Sequence, residues 1–126
     1  MILGLGVDVA GIERFARALE RHGERFWDRV LTPAERAELA GRRDRAAALA
    51  GRFAAKEALS KALGAPRDVW WQDVEVLRGA GGRPELRLLG AAVVHGERLG
   101  VVRTHVSITH DAGVAAAVVV LEGERR

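Results

Sequence analysis

Arg52-Phe53-Ala54-Ala55-Lys56-Glu57-Ala58-Leu59-Ser60-Lys61-Ala62-Leu63-Gly64 decides the fold. It forms the second half of a helix expected from about Arg45 to Leu63, stopped by Gly64 with Pro66 just beyond. Counted at 100° per residue from Arg52, the positions Arg52, Lys56, Ser60, Phe53, Gly64, Glu57 and Lys61 occupy one half of the helical wheel. Ala54, Ala55, Ala58, Leu59 and Ala62 occupy the other. A surface that small lets another element approach closely, so the helix belongs in the core by that side and carries charge on the opposite one. The run also holds the only two lysines of a chain with 20 Lys plus Arg. Lysine acts as a compact point charge on phosphate where arginine offers a planar fork.

On the N-terminal side, residues 2–9 alternate small and apolar groups and read as a buried strand ending at Asp8. Ile12, Phe15 and Leu19 then recur at helical spacing, while Arg14, Arg17, Arg21 and Arg25 fall within about 80° of one another on the wheel. That is an arginine ridge backed by an apolar face, with Gly23 placed to end the helix before Arg25. Thr32-Pro33-Ala34-Glu35 is a helix start in which Thr32 caps, Pro33 opens the first turn and Glu35 closes a capping box. On the C-terminal side, Asp73–Leu77 and Pro84–Leu89 alternate as strands around a glycine-rich loop. A short helix from about Ala91 to Leu99 ends at Gly100, residues 102–109 alternate again, and a turn at Asp111-Ala112-Gly113 leads into a buried strand, Val114 to Leu121. The expected class is α+β, with helices packed on an antiparallel sheet.

At 126 residues the chain suits a single domain, residues 1–126. Hydrophobic residues at 48% and charged ones at 29% place it among globular chains. A net charge of +3 is small for a dedicated nucleic-acid binder, and no aromatic alternates with base along a strand. With no cysteine there is no disulfide, thiolate metal site or cysteine nucleophile, which fits a reducing cytoplasm. The opening lacks a basic leader and meets Asp8 too soon for a signal peptide. The longest apolar run, Val114 to Leu121, falls far short of the roughly 20 residues of a membrane span. Gly4-Leu5-Gly6 lacks both a downstream Gly-Lys-Ser/Thr and the third glycine of a dinucleotide fingerprint.

Asp8 at a strand end and Glu57 on the polar half of the long helix are two hard carboxylates that can meet where sheet and helix pack. Magnesium takes one or two such carboxylates together with substrate phosphate and water. The competing reading pairs Glu57 with Lys61 across i,i+4, worth about 0.2–0.5 kcal/mol, and leaves Asp8 as a strand terminus. Arg52, Lys56 and Lys61 surround Glu57 with cations, which matches a polyphosphate or a solvated face equally well. His105 lies on the Arg103/Ser107 side of its strand, and the arginine ridge either docks an acidic partner or is solvated with a Glu13–Arg17 pair.

Taken together the chain resembles the holo-[acyl-carrier-protein] synthases, small 4′-phosphopantetheinyl transferases. The likeness rests on Gly4-Leu5-Gly6-Val7-Asp8 with Ile12-Glu13-Arg14, on Arg52 through Lys61, on Trp71-Gln72-Asp73-Val74-Glu75 with Gly82-Arg83-Pro84, and on His105 through His110. It covers nearly the whole chain. It implies that coenzyme A binds with Mg²⁺, that a serine hydroxyl of an apo acyl carrier protein attacks the β-phosphate, and that adenosine 3′,5′-bisphosphate leaves, in fatty acid biosynthesis. Carried over by position, Asp8 and Glu57 hold the metal, and Arg52, Lys56, Lys61, Gly64 and His105 contact the coenzyme. The proton acceptor is Glu35 through a water or Glu57 itself, with Lys61 beside the reaction. Arg14, Arg17 and Arg21 lie on the helix that receives the acidic carrier protein, and the assembly implied is a homotrimer whose sites are shared between neighbours. Ala65-Pro66-Arg67-Asp68 departs from the more glycine-rich loop of many members, which leaves its contacts open. The rival to an enzyme is a basic module that binds RNA or an acidic protein through the ridge alone, which predicts salt-sensitive binding indifferent to Glu57→Gln.

Overall fold

A computed structural model describes residues 1–126. Its elements run β1 (Ile2–Gly11), α1 (Ile12–His22), α2 (Glu24–Val30), α3 (Pro33–Leu39), α4 (Arg45–Ala62), β2 (Val74–Arg78), β3 (Pro84–Leu88), α5 (Gly90–Leu99), β4 (Val101–Asp111) and β5 (Val114–Gly123). The α+β expectation holds. The strands form two antiparallel groups, a three-stranded sheet in the order β1-β5-β4 and a separate β2-β3 hairpin. No helix is long and apolar enough to cross a membrane.

The alanine surface of α4 lies on the three-stranded sheet. A Cβ built on Gly6 would collide with the Ala58 carbonyl oxygen, and one on Gly4 with that of Ala62, so β1 meets the helix backbone to backbone. Ala54, Ala55, Ala58 and Leu59 are wholly buried there, as are Ala115, Ala117, Val119 and Leu121 from β5.

Asp8 does not end the first strand. β1 continues to Gly11 and Asp8 pairs with Ala117, because Val9, Ala10 and Gly11 find ladder partners in β5 down to Val114. Nor is the strand buried on both sides. Leu5, Val7 and Val9 are 65%, 60% and 61% exposed, facing away from α4 beside Val118 of β5. Both strands therefore bury one face only, and the sheet presents an open apolar face.

Gly23, with φ of +59°, breaks the first helical segment as its position suggested, which moves Arg25 onto α2. The capping box at α3 forms as read: Thr32 N–H donates to Glu35 Oε1 at 2.9 Å, and Glu35 N–H donates to Thr32 Oγ1 at 3.3 Å. Glu35 does more than cap. Its Oε1 also accepts from Lys56 Nζ at 2.6 Å, and its Oε2 accepts from the Val76 N–H at 2.9 Å. Lys56 completes its three bonds on the carbonyls of Val30 and Trp71, at 2.6 and 2.9 Å. Thr32 Oγ1 donates onward to Glu75 Oε2. This network ties α3, α4 and the β2-β3 hairpin together where no apolar side chain could satisfy the strand amide, the carbonyl that ends α2 and that of Trp71 at once.

Burial of the Lys56 ammonium pushes its pKa down, opposed by the Glu35 carboxylate beside it. Substituting Lys56→Met strands that carboxylate in the interior and should cost about 3–5 kcal/mol of unfolding free energy; chemical denaturation followed by circular dichroism measures it. Gly6→Ala should destabilise by at least the ~1–3 kcal/mol of an overpacked core, because the obstacle is helix backbone and cannot rotate aside.

Candidate active site

The site forms at the C-terminal half of α4, along the edge where β1 crosses it. Gly4 lies against Ala62 and Gly6 against Ala58, a step of four helix residues for two strand residues. Asp8 is the next inward position of the strand, and Lys61, one helical turn beyond Glu57, reaches it. Lys61 Nζ closes the arrangement: it donates to Asp8 Oδ1 and to the Val7 carbonyl, both at 3.0 Å. Its side chain remains 53% exposed. An ammonium has three donors, so one N–H of Lys61 is left for a ligand.

The i,i+4 pair between Glu57 and Lys61 does not form. Lys61 turns to Asp8 instead, and Glu57 Oε1 accepts the indole N–H of Trp71 at 3.0 Å. Asp8 Oδ2 and Glu57 Oε2 make no hydrogen bond within the chain, so each carboxylate is anchored by one oxygen and offers the other. No three acidic or histidine side chains converge anywhere. A metal at this place would take two hard carboxylate oxygens and fill its shell from phosphate and water, the donor set that suits Mg²⁺. Beside Glu57 a cavity of about 160 Å³ is lined by Lys56, Ser60, Val69, Trp70, Trp71 and Val74, with Trp70 67% exposed. Gly64, in a left-handed conformation with φ of +91°, ends α4 one turn beyond Ser60 and has open space around it.

Several of the expected site residues are committed to other contacts in the single chain. Lys56 is 2% exposed and all three of its donors are used, because the polar half of α4 is itself divided. One part faces solvent beside β1 and the other packs under α3 and the hairpin. Glu35 is wholly buried with both oxygens engaged and has no free one for a substrate-bound water. Arg52 is also turned inward: it donates to Glu38 Oε2 at 3.2 Å, and its Nε is buried without a partner. Desolvation pushes the Arg52 pKa down, opposed by Glu38.

His105 stands on the other side of the sheet. In register with Val120 and Leu5 it belongs to the open face, where its Nε2 lies 2.9 Å from Glu122 Oε1. That contact, with Arg103 adding its charge, holds Glu122 below the usual carboxylate range. The sheet thus separates His105 from the Asp8 and Lys61 of its own chain.

The ridge is built as expected along α1. Arg17 pairs with Glu13 at 3.4 Å in solvent, and Arg14 lies over the rings of Phe15 and Phe53, 5.1 and 5.8 Å from their centroids. A cleft of about 710 Å³ opens beside it, floored by Phe15, Phe26 and Phe53 and rimmed by Arg14, Arg25 and Arg29. Arg29 and Trp71 were missed as site residues from sequence. Only the position of Trp71 at the head of the Trp71–Glu75 motif signalled it.

The same elements recur in known proteins. The curated holo-[acyl-carrier-protein] synthase of Anaeromyxobacter dehalogenans (strain 2CP-1 / ATCC BAA-258) is 54% identical over 126 residues, covering 98% of each chain. That of Streptomyces coelicolor is 51% identical over 122 residues, covering 97% of this chain and 98% of its own. The solved structure of the Chronobacterium ammoniagenes ACPS–CoA complex superposes with a TM-score of 0.83 at 36% identity, over 97% of this chain and 98% of the other. The model of the 4′-phosphopantetheinyl transferase superfamily matches residues 4–119. That span takes in α4 and most of β1 and β5, the elements that place the site, and the chain belongs to the 4′-phosphopantetheinyl transferase superfamily.

Proposed function

We propose that the protein is a holo-[acyl-carrier-protein] synthase: it transfers 4′-phosphopantetheine from coenzyme A to a serine of apo acyl carrier protein, for fatty acid biosynthesis. The observation that carries this reading is the exposed Lys61 ammonium held at the Asp8 carboxylate, one helical turn from Glu57, in a chain about half identical to proteins of that name. Residues 1–126 act as one transferase domain, a reading supported by a sheet that joins the first strand to the last.

In the reaction the serine Oγ forms a bond to the β-phosphorus, and the bond from that phosphorus to the bridging oxygen breaks. Adenosine 3′,5′-bisphosphate departs with the electron pair. Phosphoryl transfer asks a protein chiefly to align the groups and neutralise charge. Asp8 and Glu57 are the residues that would hold Mg²⁺, which when bound polarises the phosphoryl oxygens. Lys61, fixed by Val7 and Asp8, directs its free N–H at a phosphate oxygen. Of the two carboxylates considered as proton acceptor, Glu35 has both oxygens engaged and the one open oxygen of Glu57 is the one that would meet the metal, so neither is singled out and the serine proton passes to water. The cationic rim and aromatic floor of the α1–α2 cleft fit an acidic carrier protein with an apolar contact at its centre.

The open sheet face supports a homotrimer. Leu5, Val7, Val9 and Val118 form an exposed apolar patch of the kind that marks an interface, and a head-to-tail contact closes into a ring of three copies. His105 on that face then serves a neighbour's Asp8–Glu57 site. This arrangement would resolve its separation from those residues within one chain.

Incubation with coenzyme A, Mg²⁺ and an apo acyl carrier protein should add the mass of one phosphopantetheine arm to the carrier; no addition across several carriers refutes the assignment. Asp8→Asn should lower turnover by about 10³-fold, the several kcal/mol that a metal contributes to a developing charge, with the melting curve unchanged. Sedimentation should give three times the chain mass, reduced to one by Val7→Glu with Val9→Glu. Asp8→Asn and His105→Ala chains, each impaired alone, should recover activity when mixed and allowed to exchange subunits. Absence of recovery places both residues in one chain's site.

A further inference from the structure

We propose that Trp71 is a positioning residue for Glu57: its indole N–H fixes which carboxylate oxygen is presented to the metal, and Lys56 holds the backbone that carries the indole. This rests on the reading of Glu57 as a metal ligand and goes beyond it, to the group that sets the geometry of that ligand.

Glu57 is a long side chain on a helix, with no cation bonded to it, because Lys61 is drawn to Asp8. Left alone, its carboxylate would sample several rotamers, and ordering it would oppose metal binding. The indole of Trp71 supplies the missing constraint at 3.0 Å. An indole N–H donates only, so it never competes for the metal, and by occupying Oε1 it leaves Oε2 as the presented oxygen.

Trp71 is itself held from four directions. Its carbonyl accepts from the buried Lys56 ammonium at 2.9 Å, so the adjacent residues Lys56 and Glu57 grip the backbone and the ring of the same tryptophan. Its ring packs on Phe53 at 5.5 Å between centroids, and the Arg29 guanidinium lies 5.9 Å from it. The turn that carries it is closed by the Trp70 N–H donating to Asp73 Oδ2 at 2.9 Å. Beyond it the Gln72 amide donates to the carbonyls of Asp28, Arg29 and Leu31, at 3.0, 3.0 and 2.9 Å. So dense a support for a side chain whose polar atom meets a candidate ligand is the arrangement by which outer residues orient a metal site.

The test is Trp71→Phe, which removes the donor and keeps a ring against Phe53, alongside Glu57→Gln and the double variant. Mn²⁺ binding is followed by electron paramagnetic resonance with coenzyme A saturating. Trp71→Phe should bind about 10–100-fold more weakly, the usual effect of losing an outer-shell partner. The double variant should bind no more weakly than Glu57→Gln alone, since both remove one coupled interaction. Full Mn²⁺ affinity in Trp71→Phe with loss in Glu57→Gln overturns the positioning role and leaves the metal reading intact, as do additive losses in the double variant. Full affinity in Glu57→Gln overturns both. A readout independent of the folding of Trp71→Phe comes from the unmodified protein: the indole N–H resonance of Trp71 should move when Mg²⁺ is added with coenzyme A, and a stationary resonance refutes the proposal.

Discussion

The backbone-to-backbone contact between β1 and α4 governs this molecule. A side chain at either Gly4 or Gly6 would push the strand away from the helix, and the Asp8 carboxylate would leave the reach of Lys61. The same contact explains why α4 shows alanine where most buried helices show leucine: the space that larger side chains would fill is taken up by the approach of the main chains. Chemistry at the strand–helix edge is thus a by-product of how tightly the two are drawn together. The site's polar groups come from the position just past the glycines on the strand, Asp8, and from those just before the contacting alanines on the helix, Glu57 and Lys61.

A second constraint acts at the other flank of α4. Lys56 and Glu35 form a fully enclosed ion pair whose remaining bonding capacity goes to a strand amide and to the carbonyls of Val30 and Trp71. Enclosing two charges brings little net stability compared with an apolar replacement of the same shape, and its merit lies in specifying one arrangement. Here that arrangement is the placement of the hairpin and the Trp71 turn on the helix. The long helix therefore has two working flanks joined through adjacent residues, with Glu57 on the open one and Lys56 on the closed one.

Much of this was legible in the sequence where the determinants are local. The alanine surface of α4, the Thr32–Glu35 capping box, the stop at Gly64 and the break at Gly23 are all set by residues within a few positions of one another, and each formed as read. What failed was non-local. A helical wheel divides residues into two halves, and it cannot tell that one polar quadrant lies beneath α3 while another meets water, so Lys56 and Arg52 were placed with Lys61. Periodicity assigned His105 to the Arg103/Ser107 side of its strand correctly but carried no strand order, and so did not show that this side faces away from Asp8. The Glu57–Lys61 pair was the best local option, overridden by a carboxylate 53 residues distant. Asp8 looked terminal because the ladder that continues past it is dictated by β5.

The unequal burial of the two lysines has a consequence for covalent chemistry on amines. Lys56 is closed off by three acceptors and the surrounding core, so a reagent that acylates primary amines cannot approach it in the folded state. That leaves Lys61 as the one open lysine of the chain. A fluorophore or affinity tag attached through lysine would land on a single position, beside Asp8, and any thioester that strays into the site would meet the same lone nucleophile.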